Sequence, residues 1–465
     1  MRLDERLPRG ASVALDDGGR GWTFDEIHAG AGSAARRLAG QRIGPGAAFG
    51  WLGLNSTDML LALLACSRLG ARFVPLNWRL AGAELRQIAT HAGLSAWHAD
   101  AGFDALAGHA PAPPPGALDP AARDDLLLAY TSGTTGEPRG ALHTHMAMQA
   151  NIDAAIDAQG LDGATRTLAV LPLFHVGGLC IQVLPTLAAG GVVRLQPRFD
   201  PDAWFDDVAV WRPTTSLLVP ATMRALVEHS RWSRSDLSSL AFINSGSQIV
   251  PRALIDAFHA RGVPVCQVYG ATETGPVTLV LRPQEALTHP GGVGRPALGV
   301  QVRLGERGDT SEGEVQVRAP NLARAYHGLP GDSAFADGWF RTGDLARVDE
   351  RGWYTIVGRS KELIISGGEN IHPAEIEQVA LTHGTVAEAA AVGLPDARWG
   401  EVPVLAVVPQ PGACVDLDAL RRQFDGALAR FKHPRRIVVL DALPKTALGK
   451  VQRAALALQL AQDTA

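Results

Sequence analysis

Short apolar runs alternate with helically spaced ones through most of the chain. Phe49–Leu54 is followed by the helical pattern Thr57–Leu69 and then by Arg72–Leu76. Val192–Leu195 precedes a helix over Asp202–Val210, Ser216–Val219 precedes Met223–His229, Leu240–Asn244 precedes Pro251–Ala260, and Val263–Tyr269 follows. Strands this short and this continuously apolar are covered on both faces, as parallel strands joined by helices are. At the N-terminal end, Val13 opens a short strand, a turn covers Asp16–Gly21, and a second strand follows. Thr23 and Glu26 then form a capping box for a helix running to Ala39. After about residue 290 the strands shorten, and Asp349-Glu350-Arg351-Gly352 sits in a hairpin between Leu345–Val348 and Trp353–Val357. From Lys361 a mixed α+β segment runs to a last helix near Val451–Gln462. The pattern predicts an α/β protein: a large N-terminal domain of mixed and parallel sheets flanked by helices, then a small α+β C-terminal domain.

The chain has 465 residues, 46% of them hydrophobic and 19% charged, with a formal net charge of −4. That length is enough for several domains of ~100–200 residues each. A chain without basic excess is not built to bind nucleic acid or an acidic membrane surface. The N-terminal MRLDERLPRG lacks the apolar core of a secretory signal. The longest apolar stretch, Met59–Cys66, is closed by Arg68, well short of the ~20 residues that span a bilayer. The reading is a cytoplasmic protein with no transmembrane segment. The four cysteines are scattered with no C-x-x-C spacing, so neither a disulfide framework nor a zinc knuckle is indicated. The lysines are more informative. Only Lys361, Lys432, Lys445 and Lys450 stand against 39 arginines. A lysine kept in so arginine-rich a chain asks whether an ammonium, a compact charge on a flexible stem, is required there.

The strongest local motif is Tyr130-Thr-Ser-Gly-Thr-Thr-Gly-Glu-Pro-Arg-Gly140, launched from the apolar strand Asp125–Ala129. Glycines let backbone N–H groups approach an anion and the hydroxyls add donors, so the loop suits a phosphate. It is not a Walker A loop, because G-x-x-x-x-G-K-[ST] is absent. This loop resembles the phosphate loop of the adenylate-forming superfamily, which includes acyl-CoA synthetases, adenylation domains of peptide synthetases and luciferases. The family form ends Pro-Lys-Gly, where this chain has Pro138-Arg139-Gly140. Five further motifs follow in family order. Leu171-Pro-Leu-Phe-His-Val-Gly-Gly178 resembles the acid-pocket motif, and Val268-Tyr-Gly-Ala-Thr-Glu-Thr-Gly275 the adenine and magnesium motif. Phe340-Arg-Thr-Gly-Asp344 resembles the ribose motif, Gly358–Asn370 the hinge motif, and Pro444-Lys-Thr-Ala-Leu-Gly-Lys450 the catalytic-lysine motif.

The resemblance implies an N-terminal ATP- and acid-binding domain over 1–360 and a small, mobile C-terminal lid over 361–465. It also implies ATP, Mg²⁺ and CoA as the small molecules used. ATP would meet Thr131, Ser132, Gly133, Thr134, Thr135, Gly136, Tyr269, Gly270, Thr272, Asp344, Arg359 and Lys450. Catalysis would rest on Lys450, Thr272, Glu273 and His175, with Glu273 as the magnesium ligand. An ionised acid attacking a phosphate is anion on anion, so positioned cations and geometry carry the reaction. Lys361 matches the hinge residue. In the CoA ligases that the chain most resembles, Gly367 and Gly368 border the pantetheine tunnel, while Trp399, Phe431, His433 and Arg435 lie near the CoA nucleotide. Relatives often carry Arg or Lys where His433 stands.

The acyl pocket would be lined by His175, Val176, Gly177, Gln248, Gly275 and Pro276, a wall that favours an aliphatic or aromatic acid. Arg224 and His229 are the basic residues available for a second carboxylate. Three readings remain: an AMP-forming acid–CoA ligase, placed in fatty or aromatic acid metabolism; a stand-alone enzyme loading a carrier-protein phosphopantetheine arm; and a non-catalytic nucleotide binder. Intact Glu273, Asp344 and Lys450 argue against the last. A homodimer is compatible with any of them. Gly30-Ala-Gly-Ser-Ala-Ala35 matches a loose dinucleotide fingerprint but falls inside the helix after Thr23, and His143-Thr-His145 lacks a third metal ligand. Replacing Lys450→Gln is expected to abolish adenylate formation while leaving thioester formation from added acyl adenylate largely intact. Equal loss of both half-reactions in separate assays would contradict that division.

Overall fold

The computed structural model describes residues 2–106, 108–113, 124–131, 139–305, 310–329, 331–445 and 450–462. They divide into two compact units. The larger comprises Met1–Ser247, Ala257–Val302 and Gln316–Arg341, and the smaller Gln248–Asp256, Arg303–Val315 and Thr342–Ala465.

The larger unit holds two sheets. In the nine-stranded sheet the order is Arg295–Pro296, Leu279–Val280, Val265–Tyr269, Phe242–Gly246, Thr215–Leu218, Arg166–Ala169, Val192–Leu195, Val13–Asp16 and Gly21–Thr23. Its central strands are parallel and its outermost pairings antiparallel. In the six-stranded sheet the order is Ala325–Tyr326, Arg139–Thr144, Asp125–Thr131, Arg72–Leu76, Ala48–Leu52 and Leu94–Ala99. One apolar core takes Leu15, Val193 and Leu195 from the first sheet and Phe49, Phe73 and Leu127 from the second. Between them it takes the inner faces of the helices Phe24–Gly40 and Thr57–Leu69. Residues Thr57 to Ser67 of the latter are all buried apart from Asp58, which is why its sequence is apolar around most of its girth. Ser56 caps it at one end, and Gly70, at φ 66°, closes it at the other.

Element boundaries move where side chains cap backbone ends. The helix expected from Asp202 starts at Pro201, because Asp200 accepts the Ala203 N–H and proline is tolerated at the first helical position. The one expected from Met223 starts at Pro220, with the Thr222 hydroxyl accepting the Val219 N–H. The last helix begins at Arg453, since Val451 is taken into a bridge with Lys445.

In the smaller unit, Val386–Asp396 and Gly400–Pro409 pair antiparallel from Val386↔Pro409 to Asp396↔Gly400. Side chains alternate across the pleat. Ala391, Leu405 and Val407 enter one core with the helices Pro373–Ala380 and Leu417–Phe424. Ala390, Val392, Val404 and Ala406 enter another with Leu456 and Leu460 of Arg453–Gln462. Strands covered on both faces leave no polar alternation to read. The hairpin of Trp339–Val348 and Tyr354–Arg359 pairs Asp344 with Arg359. Among the described residues, no helix is long and apolar enough to cross a membrane.

Arg453 ties this unit together. Its Nε donates to Glu362 at 2.9 Å and its Nη1 to the Ala391 carbonyl at 2.8 Å, with Glu377 on the same guanidinium. Burial alone would weaken the cation, but the two carboxylates outweigh it and hold the guanidinium above its ordinary range. Arg453→Met strands those carboxylates and is expected to cost about 3 kcal/mol. The loss should appear as faster hydrogen exchange in Val386–Asp396, with Glu377→Gln less damaging.

Candidate active site

The Tyr130–Gly140 motif joins two adjacent strands. Thr131, at the end of one, pairs with Arg139 at the start of the next, and Tyr130 pairs with Gly140. Ser132, Gly133, Thr134, Thr135 and Gly136 lie outside the described residues. The guanidinium carbon of Arg139 stands 5.3 Å from the centre of the Tyr326 ring.

Beside these strands packs the 3₁₀ turn Thr272–Thr274, which follows Val265–Tyr269. Each of its three backbone carbonyls is held. His143 Nε2 lies 2.8 Å from the Thr272 carbonyl, the Ala323 N–H donates to the Glu273 carbonyl at 2.7 Å, and Asn321 Nδ2 donates to the Thr274 carbonyl at 2.9 Å. Burial, partly opposed by that carbonyl contact, pushes the His143 pKa down to about 4. The imidazole is therefore neutral near pH 7, and its Nε2 donates. Gly275 closes the turn at φ 70°, where a Cβ would come within 2.4 Å of the Asn321 carbonyl oxygen. The turn presents Glu273, 9% exposed, whose Oε1 accepts from Tyr326 Oη at 2.6 Å. Burial and the adjacent Glu273 carboxylate raise the Tyr326 pKa, so the phenol keeps its proton and acts as a donor. Among the described residues no cluster of three metal-ligating side chains exists. A single buried carboxylate, one oxygen held by Tyr326, fits Mg²⁺, which takes one or two carboxylates and completes its shell with water and phosphate.

The Leu171–Gly178 motif is pinned from the six-stranded side. Asn55 Nδ2 donates to the Leu171 carbonyl at 3.0 Å, and its Oδ1 accepts the Leu173 N–H at 2.8 Å. His175 precedes the short helix Val176–Gly178, which continues into the π-helical turn Leu179–Val183. At Gly178 a Cβ would meet the Pro172 carbonyl oxygen at 2.3 Å. Burial, then the Arg79 charge, lowers the His175 pKa to about 4, and its Nε2 is buried without a hydrogen-bond partner. The ring is thus a neutral, unengaged imidazole against Phe174, 4.4 Å between centroids. Gly275 and Pro276 follow the Glu273 turn directly. Gln248 is exposed and falls in the smaller unit, after Ser247 at φ 70°. Arg224 is engaged by Glu228 at 3.6 Å, and His229 by Asp202 at 3.5 Å.

In the smaller unit, Asp344 is buried and its Oδ1 lies 2.7 Å from Arg359 Nε, the two being cross-strand partners. The Lys450 pKa is lowered by burial and next by Arg359, while Glu362 and Asp344 pull it back. Three of the sequence-derived residues, Lys450, Asp344 and Arg359, therefore form one electrostatic group. Lys361 is exposed on the turn Ser360–Glu362. The other two lysines are in ion pairs, Lys432 with Glu375 at 2.6 Å and Lys445 with Glu388.

Gly367 and Gly368 adopt φ of 61° and 86°. The Gly367 N–H donates to the Trp399 carbonyl, and a Cβ there would lie 2.8 Å from the Trp399 ring. Trp399 is 38% exposed, with Arg398 and Arg435 over its ring at 4.9 and 5.9 Å. Phe431 is also exposed, whereas His433 turns inward to the Leu428 carbonyl at 3.0 Å.

Sequence reasoning missed Tyr326 and Arg453, and set aside His143. The chain has only four tyrosines. Their scarcity was a signal of the same kind as the lysine bias, and it went unused.

The sequence matches the family model described as AMP-binding enzyme over residues 5–327, and its C-terminal domain over residues 375–450. It is 44% identical over 439 residues to the indoleacetate–CoA ligase of Aromatoleum aromaticum, covering 87% of this chain and 86% of that protein. Identity to a feruloyl-CoA synthase of an Amycolatopsis species is 37% over 462 residues, covering 95% and 94%. Among solved structures, the anthranilate CoA ligase AuaEII bound to anthranoyl-AMP superposes with a TM-score of 0.90 at 27% identity, covering 99% and 97% of the two chains. The o-succinylbenzoate CoA synthetase of Bacillus subtilis, holding its acyl-adenylate intermediate, superposes with a TM-score of 0.86 at 29% identity, covering 96% and 95%.

Removing the Tyr326 hydroxyl takes one donor from a buried carboxylate, a bond worth about 1.5–3 kcal/mol. Tyr326→Phe is expected to lower kcat/KM for ATP by about tenfold or more with the fold intact. Steady-state kinetics at varied Mg²⁺, alongside a melting curve, check this.

Proposed function

Because the chain belongs to the AMP-binding enzyme family, we propose that it is an AMP-forming acid–CoA ligase whose acid is aromatic. The observation that carries the reading is Lys450 grouped with Asp344 and Arg359. In the first half-reaction an acid carboxylate oxygen attacks the α-phosphorus of ATP. The bond to the bridging oxygen breaks, and pyrophosphate leaves. Lys450 neutralises the two approaching anions with a point charge that rotates to follow them. Asp344 accepts from the ribose hydroxyls, and Arg359 fixes that carboxylate. In the second half-reaction the CoA thiolate attacks the acyl carbon and AMP departs with the electron pair of the broken bond. Trp399 and Arg435 offer an exposed ring and cation to the CoA nucleotide.

Glu273 would hold Mg²⁺, which when bound offsets phosphate charge. Thr131, Thr272, Tyr269 and Gly270 would contact the nucleotide, and His175, Val176, Gly177, Gly275 and Pro276 the acid. Residues 361–465 form the lid in this reading, with Lys361 at its hinge, and the enzyme works in the cytoplasm, where ATP and CoA are supplied. The aromatic preference rests on a neutral His175 against Phe174 and on relatives named for indoleacetate and ferulate.

The test is AMP release from ATP and Mg²⁺ with aliphatic and aromatic acids, each with and without CoA. Turnover with aromatic acids that depends on CoA is expected. Acid-dependent pyrophosphate exchange with no CoA effect would instead point to a carrier-protein loader.

Lys450 must be charged for adenylation, and its pKa is depressed. Adenylation is therefore expected to fall on an alkaline limb centred below the ordinary lysine value of 10.5. Lys450→Arg, charged throughout, should lose the limb while running about 10²–10³-fold slower. Pre-steady-state pyrophosphate release against pH reads both.

A further inference from the structure

We infer that two buried amides in the larger unit, Gln182 and Asn244, select acids whose ring carries a hydrogen-bond donor. The inference rests on the acid-activating reading above.

The amides converge on Gln159, the last residue of the helix His145–Gln159. Its Nε2 lies 3.3 Å from the Ala155 carbonyl and 2.8 Å from the Ile181 carbonyl. Carbonyl oxygens only accept, so the nitrogen of Gln159 must face them and its Oε1 must face the other way. That oxygen receives Gln182 Nε2 at 3.3 Å and Asn244 Nδ2. Gln182 Nε2 also donates to Thr215 Oγ1 at 2.8 Å. With both amide nitrogens drawn to one acceptor, both amide oxygens are turned away. Gln182 Oε1 and Asn244 Oδ1 are buried and have no hydrogen-bond partner. Gln182 is 1% exposed and Asn244 0%. Folded proteins rarely leave such atoms unpaired, and two acceptors oriented by one network require a donor from outside it.

Their place in the fold says which donor. Gln182 lies in the π-helical turn that continues the helix after His175, and π-turns recur at functional sites. Asn244 lies in the strand Phe242–Gly246, on the face shared with Gly246 at the strand's C-terminal end. Gly246 is held to glycine, because a Cβ would come within 2.3 Å of the Val268 carbonyl oxygen. Beyond Asn244, on its face, the strand therefore carries no side chain of its own toward the sheet end where ligands enter α/β folds. An aromatic acid entering past His175 would bring a ring N–H or O–H to these oxygens.

The experiment is acid-dependent ATP–pyrophosphate exchange with two matched pairs: indole-3-acetate against benzothiophene-3-acetate, and 4-hydroxyphenylacetate against phenylacetate. Sites built around a polar partner reject the analogue that lacks it. At least one pair should show a kcat/KM ratio of about 10² or more in favour of the donor-bearing acid. Gln182→Met, close in volume, should collapse that ratio, as should Asn244→Leu if it folds. Ratios near one for both pairs in the wild type would mean that internal water satisfies the oxygens, and would overturn the inference. A ratio unchanged in Gln182→Met would overturn it too. Exchange reads acid choice before CoA enters, so a protein that exchanges but makes no thioester fails the ligase reading while still reporting on the amide pair.

Discussion

The Thr272–Thr274 turn is the point on which the larger unit's chemistry depends, because the two sheets meet there. The turn extends from a strand of the nine-stranded sheet. The groups that hold it come from the six-stranded sheet and its approach: His143, Asn321, Ala323 and Tyr326. A buried carboxylate is costly unless it is bonded. Tyr326 supplies that bond to Glu273 and, through its ring, faces Arg139 at the start of the strand Arg139–Thr144. One residue thus links the acidic turn to the loop base, and the carboxylate is aimed before any ligand arrives.

The smaller unit solves a different problem, holding several charges of both signs close together. Lys450 sits among Arg359, Asp344, Glu362 and Arg453, so its charge is neither isolated nor cancelled. Arg453 takes up Glu362 and Glu377. Arginine carries this double ion pair because its planar fork suits two carboxylates at once.

Both arrangements use scarce residue types at fixed points. Of four tyrosines, Tyr130 and Tyr269 lie in the nucleotide motifs and Tyr326 on Glu273. Of four lysines, two are committed to ion pairs, one is exposed on a turn, and one is grouped with Asp344 and Arg359. Composition was informative because scarce residue types narrow the search to a few positions.

Local chemistry was legible in the chain itself. Capping residues, glycine-closed helix ends and uniformly apolar strands marked the elements. Motif spacing marked Glu273, Asp344 and Lys450, because their backbone turns need specific residues in sequence order. The hidden parts were those assembled from distant segments. Tyr326 reaches Glu273 across 53 positions, Arg453 reaches Glu362 across 91, and Asn244 reaches Gln159 across 85. No local preference encodes such pairs, since a buried polar atom takes whichever partner the packed sheets bring within about 3 Å. By itself the sequence determined which residues could do the chemistry. Only the tertiary structure decided which of them are held, neutral or left with an open valence, because desolvation and hydrogen bonding act through space.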